Sequence, residues 1–224
     1  PRIKLVYEDN DIIVINKGSG ILSVSTDNVK DGTAYSILRD YLKKKDPRLM
    51  LFVVHRLDRP VSGLVVFAKT SKALSRLNDM FRTGDVHKTY WAVVKKHSIP
   101  EEGTLTNWLV RNEKQNKSYA YDKERPGAKK AILKYRLRAE SDNYMLLEVT
   151  LLTGRHHQIR CQLAHMGCPI KGDLKYGAPR SNPDGSISLH SRRVEFEHPV
   201  RREPLSVTAP VPAGDNLWTY FENL

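Results

Sequence analysis

Val53-Val54-His55-Arg56-Leu57-Asp58-Arg59-Pro60-Val61-Ser62-Gly63-Leu64-Val65-Val66-Phe67-Ala68 changes character half way along. Its last five residues are apolar without alternation, as in a central strand buried on both faces. Before them, Pro60 pushes Arg59 away from helical geometry, so the segment around Asp58 is a shaped loop. One carboxylate sits between Arg56 and Arg59. Nearby cations keep an aspartate ionised, which a nucleophile or base needs. A surface aspartate paired with arginines in a turn has the same pattern. Both readings stay open on spacing alone.

Outward from this stretch, short β-branched runs alternate with a few helices. Residues 12–15 (Ile-Ile-Val-Ile) read as a strand followed by a Gly-rich turn, and the first seven residues are already strand-like. Residues 33–44 place Ala34, Ile37, Leu38, Tyr41 and Leu42 at helical spacing. A second helix runs from Ser71, as N-cap, to Arg82, with Leu74, Leu77, Met80 and Phe81 inward and Gly84 as its stop. Residues 90–94 form a strand, and residues 111–130, polar and Lys-rich, form a long loop. Residues 131–137 and 144–150 flank Ser141-Asp142-Asn143 as a hairpin. Residues 156–166 are helical, 179–188 form a second polar loop, and short strands near 194–196 and 205–207 close the chain. Strands outnumber helices without strict alternation, which predicts an α+β fold with a largely antiparallel mixed sheet. Neither repeats nor a domain linker appear, and the length fits one domain or two intimately fused halves.

The chain has 224 residues, 40% of them hydrophobic, enough for a substantial core. Lys and Arg number 37 against 25 Asp and Glu, a net charge of +12. That surplus favours a polyanionic partner, since cations set against phosphates release condensed counterions. Charge does not choose RNA over DNA. With two cysteines, Cys161 and Cys168, a disulfide-stapled secreted domain is disfavoured and a cytoplasmic location expected. No run of about 18 apolar residues suggests a membrane span, and no leader is recognisable at the start.

Two further segments carry chemistry. In Lys88-Thr89-Tyr90-Trp91-Ala92 a tyrosine opens a strand, where it can stack on a base or simply pack the sheet. In Thr153-Gly154-Arg155-His156-His157-Gln158-Ile159-Arg160, cations crowd a helix start, either as an anion site or as a solvated cap. His157, Cys161, His165 and Cys168 share a helical face. Their span of about 16 Å prevents one straight helix from wrapping all four around an ion, so no metal site is expected.

Taken together, these segments resemble the RluA family of pseudouridine synthases across nearly the whole chain. His55-Arg56-Leu57-Asp58 with Ser62-Gly63-Leu64 looks like that family's signature, and Lys88-Thr89-Tyr90 like its second motif. Gly154 to Arg160, with Gly167-Cys168-Pro169-Ile170 and Gly172-Asp173, looks like its third. Asn16-Lys17, Leu189-His190-Ser191 and Phe196-Glu197-His198-Pro199 are similar to flanking landmarks. Gly18, Val61 and Gln162 depart from the family's usual Pro, Thr and His. The resemblance implies a single catalytic domain over residues 1–224 with flanking helices and a central active-site cleft. A separate N-terminal RNA-binding domain is not expected. Asp58 is implied as nucleophile, Tyr90 as the residue packing on the target base, and Arg160 as the arginine pairing with the aspartate. Arg56, Arg59, Lys88, Arg155 and His157 are the candidate RNA contacts. The implied reaction isomerises a flipped-out uridine of ribosomal or transfer RNA; it involves no redox or phosphoryl step and so calls for no cofactor. A monomer that does not act on DNA or at a membrane is expected. The alternatives are a catalytically silent basic RNA-binding protein and a nuclease or glycosidase. The last two normally need clustered or paired carboxylates, and the Asp58 motif contains no second one.

Overall fold

The structure is a computed structural model that describes residues 3–224, so Pro1 and Arg2 of the strand-like opening lie outside it. In chain order the elements are β1 (Ile3–Glu8), β2 (Ile12–Lys17), α1 (Ala34–Lys45), β3 (Phe52–Val53), β4 (Ser62–Ala68), α2 (Ser71–Thr83), β5 (His87–Lys95), β6 (Glu102–Asn112), β7 (Lys117–Tyr121), β8 (Lys129–Glu140), β9 (Tyr144–Leu151), α3 (Gln158–His165), a 3-10 turn (Leu174–Tyr176), β10 (Leu189–Glu197), β11 (Pro204–Thr208) and α4 (Asn216–Glu222). The fold is α+β. Two compact units divide the chain, one of Pro1–Lys88 with Ser191–Pro212, the other of Thr89–His190 with Ala213–Leu224.

In the first unit the strand order is β1-β2-β4-β10, with β3 pairing β4 and β11 pairing β10. β4 is buried at all seven residues, as its unbroken apolar run requires. It lies antiparallel to β2, with Ile12 opposite Ala68 and Lys17 opposite Gly63. Gly63 has a φ of +118°, and a Cβ there would lie 2.4 Å from the Ser191 carbonyl oxygen, so only glycine lets the strands approach this closely. α2 packs Ala73 and Leu77, with Leu74, Met80 and Phe81 part-buried, onto a cluster containing Val14, Val66 and Val194. Its N-cap is Thr70, whose hydroxyl accepts from Ala73 N, and not the expected Ser71, which is the first helical residue. Gly84 ends it in the left-handed conformation. α1 begins with a Thr33/Ser36 capping box and ends in three lysines that oppose its negative dipole end. It buries Ala34, Leu38 and Leu42. Ile37 and Tyr41, expected on the same face, are 36% and 39% exposed. Tyr41 turns its hydroxyl toward Glu8 Oε1 at 3.4 Å.

The second unit holds an antiparallel sheet in the order β5-β9-β8-β6-β7. The stretch 111–130 differs from the expected loop, because it contains β7 and the hairpin joining it to β6. Ser118 and Ala120 point inward there toward Cys161, Tyr176 and Ala164. The inward residues are small, and Lys117, Tyr119 and Tyr121 alternate with them, so the strand carries no large-apolar alternation. The β8–β9 hairpin turns at Ser141, whose N–H donates to the Tyr144 carbonyl. Helix α3 starts two residues later than its apolar periodicity suggests, because His157 sits at φ 53° as a left-handed N-cap. α4, which Asp215 caps through the N–H groups of Leu217 and Trp218, buries Trp218 and Phe221. Among the described residues no helix is long and apolar enough to cross a membrane.

Candidate active site

The loop carrying Asp58 has irregular backbone between β3 and β4, and four local anchors fix it. Val61 N–H donates to the Asp58 carbonyl at 3.0 Å, closing the turn. The Ser23 hydroxyl exchanges hydrogen bonds with Leu57, donating to its carbonyl at 2.8 Å and accepting from its N–H at 2.9 Å. Arg59 donates through Nε to the Gly20 carbonyl and receives Gly20 N–H on its own carbonyl. At the other end, His55 Nε2 accepts from Val66 N–H at 2.9 Å, so its proton resides on Nδ1. His55 stacks on Phe81 at 4.7 Å. Burial, with the charge of Lys88, lowers its pKa to about 3 and keeps it neutral. Asp58 itself is half-buried.

Lys17, at the end of β2, is fully buried. Its ammonium donates to the carbonyls of Gly18 at 2.9 Å, Ile21 at 3.0 Å and Arg59 at 3.3 Å. Burial lowers its pKa to about 7, against the charge of Asp58, which favours the ammonium, and with that of Arg59, which disfavours it. In the sequence Lys17 stands out only as part of the flanking Asn16-Lys17 pair. The available signal is a lysine closing an otherwise apolar strand, where a charge survives only if backbone carbonyls receive it.

Of the candidate RNA contacts in this unit, Arg56 and Arg59 are exposed. Lys88 is half-buried, with its Nζ 5.5 Å from the Phe81 ring centre. Burial lowers its pKa, and its ammonium packs over the ring on which His55 stacks.

In the second unit, Tyr90 lies on β5 opposite Val149 and is 8% exposed. Arg160, on α3, is 6% exposed and grips Asp173 with both edges of a fork: Nε donates to Oδ2 at 2.7 Å and Nη2 to Oδ1 at 2.8 Å. Its Nη1 lies 3.2 Å from His157 Nε2, and its Cζ sits 5.1 Å from the Tyr176 ring centre. His157 is buried, with Nδ1 2.8 Å from the Tyr176 hydroxyl, which also accepts from Ser118 N–H. Burial first, then the charges of Arg160 and its neighbours, lower the His157 pKa to about 2. Arg155 is exposed, and its Nε donates to the Lys130 carbonyl. Gln162 pins α3 through Nε2 to Asn107 Oδ1 at 2.9 Å and the Ala131 carbonyl at 3.2 Å.

His157, Cys161, His165 and Cys168, the four that share a helical face, have other surroundings in the fold. Cys161 donates to the Ser118 carbonyl, with burial pushing its thiol up to about 11. His165 binds Asp122, His157 faces Tyr176, and burial raises the Cys168 thiol. Among the described residues Asp9, Asp11 and His198 cluster at metal-ligand spacing. However, Asp9 already accepts from Tyr7, His198 and the N–H groups of Asp11 and Ile12. His198 Nδ1 accepts from Val200 and Arg201 N–H. Its remaining ring nitrogen must therefore be the donor to Asp9, so two of the three groups are engaged with protein partners.

Comparison with known proteins bears on both units. Residues 11–165 match the family model described as RNA pseudouridylate synthase. The chain is 34% identical over 227 residues to ribosomal large subunit pseudouridine synthase D of Xanthomonas campestris pv. campestris, covering 94% of this chain and 66% of that protein. It is 29% identical to tRNA pseudouridine synthase C of Vibrio cholerae, covering 96% and 93%. In fold it matches the structure of human RNA pseudouridylate synthase domain containing 4, with a TM-score of 0.79 at 22% identity, over 98% and 92% of the two chains. The chain thus spans just under two thirds of the length of its synthase D relative.

Proposed function

The chain belongs to the RNA pseudouridylate synthase family, and from that premise we propose that it isomerises uridine to pseudouridine in structured ribosomal or transfer RNA, with Asp58 as nucleophile. The observation that carries this reading is the Asp58 loop. Its backbone is fixed by Ser23, Arg59 and a buried ammonium on Lys17. A loop whose backbone is set in advance aims its carboxylate, which is what attack on a sugar or pyrimidine carbon demands. Asp58 adds to ribose C1′ or to uracil C6, the N-glycosidic bond breaks, and the uracil turns. A bond then forms from its C5 to C1′. The C5 proton leaves to water, N1 gains one, and Asp58 is released. No atom is added overall, so RNA mass is unchanged.

Tyr90 stacks on the extruded base. Arg160 supplies the guanidinium that serves the aspartate, and its fork geometry makes lysine a poor substitute. Arg56, Arg59, Lys88 and Arg155 contribute phosphate contacts, in keeping with the net charge of +12. The protein acts as a cytoplasmic monomer on this reading, with both cysteines free.

The test is incubation with ribosomal and transfer RNA transcripts, followed by pseudouridine mapping and mass measurement. New pseudouridine in RNA of unchanged mass supports the proposal. Strand cleavage or released uracil points to a nuclease or glycosidase, and bound but unmodified RNA to a silent binding protein.

A further inference from the structure

The hydrogen-bond roles around Arg160 can be solved from donor counting alone. A guanidinium only donates, so the His157 Nε2 that faces Nη1 at 3.2 Å must present its lone pair. The imidazole proton is therefore on Nδ1 and is donated to the Tyr176 hydroxyl oxygen at 2.8 Å. That oxygen also accepts Ser118 N–H at 2.9 Å. The chain of donation runs from the β7 backbone and the His157 ring into one phenol oxygen, leaving His157 Nε2 as an acceptor aimed at Arg160. A charged imidazole would set N–H against N–H, and the burial of His157 keeps it neutral. Meanwhile the Asp173 fork fixes the opposite edge of the guanidinium, and the Tyr176 ring lies 5.1 Å from Cζ. Gly172, which precedes Asp173, has a φ of +88°, and a Cβ there would meet Asn182 at 2.7 Å. The turn that presents Asp173 and Tyr176 is thus held by its backbone too. Two edges and one face of the guanidinium are set by neighbours, and with them the directions of all its N–H bonds.

We infer that His157 and Tyr176 are positioning residues for the Arg160 guanidinium in the chemical step, and that His157 is not an RNA phosphate contact. This rests on the reading of Arg160 as a catalytic arginine. A phosphate contact needs a donor that the RNA backbone can reach, whereas His157 is buried with both ring nitrogens engaged by Tyr176 and Arg160. Tyr176 acts one step further out, by fixing the tautomer of His157, as outer partners do for metal-bound histidines.

The experiment is single-turnover release of tritium from RNA labelled at uridine C5, with enzyme in excess, beside a filter-binding Kd for the same RNA. His157→Leu removes the acceptor and is expected to lower the saturated rate constant about tenfold, as misplacement of a reacting group does, with Kd changed less than about twofold. His157→Gln returns an oxygen near the Nε2 position and restores the rate to within about threefold. Tyr176→Phe keeps the ring and slows the step by about threefold, and it also carries the test should His157→Leu fail to fold. On an Arg160→Ala background, His157→Leu causes no further loss, because residues acting as a unit are not additive. A weakened Kd with a shallower salt dependence and an unchanged saturated rate for His157→Leu would overturn the inference. So would an unchanged rate in both His157→Gln and Tyr176→Phe alongside no effect of His157→Leu. Should Arg160→Ala itself keep full rate, the reading of Arg160 fails, an outcome distinct from failure of the positioning role.

Discussion

Replacing Lys17 by Met removes a buried charge while nearly conserving volume, and the structure sets the size of the effect. Three carbonyls lose a donor, those of Gly18, Ile21 and Arg59. The Arg59 carbonyl keeps Gly20 N–H at 2.8 Å, so two carbonyls lose the ammonium without that compensation. At about 1–3 kcal/mol for each buried group left unsatisfied, the loss is roughly 2–6 kcal/mol. Met relieves the desolvation of a buried ammonium, which offsets part of it, so a net destabilisation of about 2 kcal/mol is expected. Urea denaturation at pH 7 should show a midpoint about 1 M lower with an unchanged slope. The sign of its pH dependence also follows. The folded Lys17 titrates near pH 7 instead of 10.5, so the unfolded chain holds the extra proton between these values. Wild-type stability therefore rises relative to the variant across that window, and the difference is larger at about pH 9 than at about pH 6. Activity should fall further than stability, because Lys17 also holds the backbone beside Asp58. A midpoint shift below about 0.2 M, or a difference that shrinks with rising pH, refutes the argument.

Acid should destabilise the fold below neutrality. His55 and His157 titrate near 3 and 2 when folded, against 6.5 for an ordinary histidine, so unfolding takes up a proton at each. Together they predict a loss of about 2.7 kcal/mol per pH unit between about pH 6 and pH 5, half of it removed by His55→Gln; a flat stability curve there contradicts their neutrality. Gly63→Ala drives a Cβ to 2.4 Å from Ser191 backbone and adds the strain of a positive φ, so a loss of more than about 3 kcal/mol is expected by calorimetry or urea titration. A Tm within about 2 °C of wild type refutes that contact. Arg155→Ala should weaken RNA affinity and reduce the salt slope by about one, with the saturated rate unaltered; a lost rate with unaltered affinity reverses the assignment.

What was legible in the sequence was whatever a period or a breaker encodes. β4 announces itself by an apolar run with no polar face, and α2 by Leu74, Leu77 and Phe81 closing on Gly84. β7 does not, since its inward residues are Ser118 and Ala120, too small to register as a core face beside Lys117, Tyr119 and Tyr121. α4 is one short turn pair whose only marks are Asp215 and the Trp218/Phe221 spacing. The start of α3 shifts because a left-handed histidine is a tertiary outcome, set by Tyr176 and Arg160 rather than by propensity. At the site, Asp58, Tyr90 and Arg160 stand out by motif. Asp173, Tyr176 and Ser118 gain their meaning only when the fold folds a turn and a neighbouring strand back onto α3.

The measurement closest to the central claim is tritium release from C5-labelled ribosomal or transfer RNA by Asp58→Asn at wild-type RNA occupancy. Asp58→Asn should fold intact, bind RNA within about twofold of wild type and give no detectable release above background, a loss of at least about 10³-fold. Near-normal turnover by that variant would contradict it.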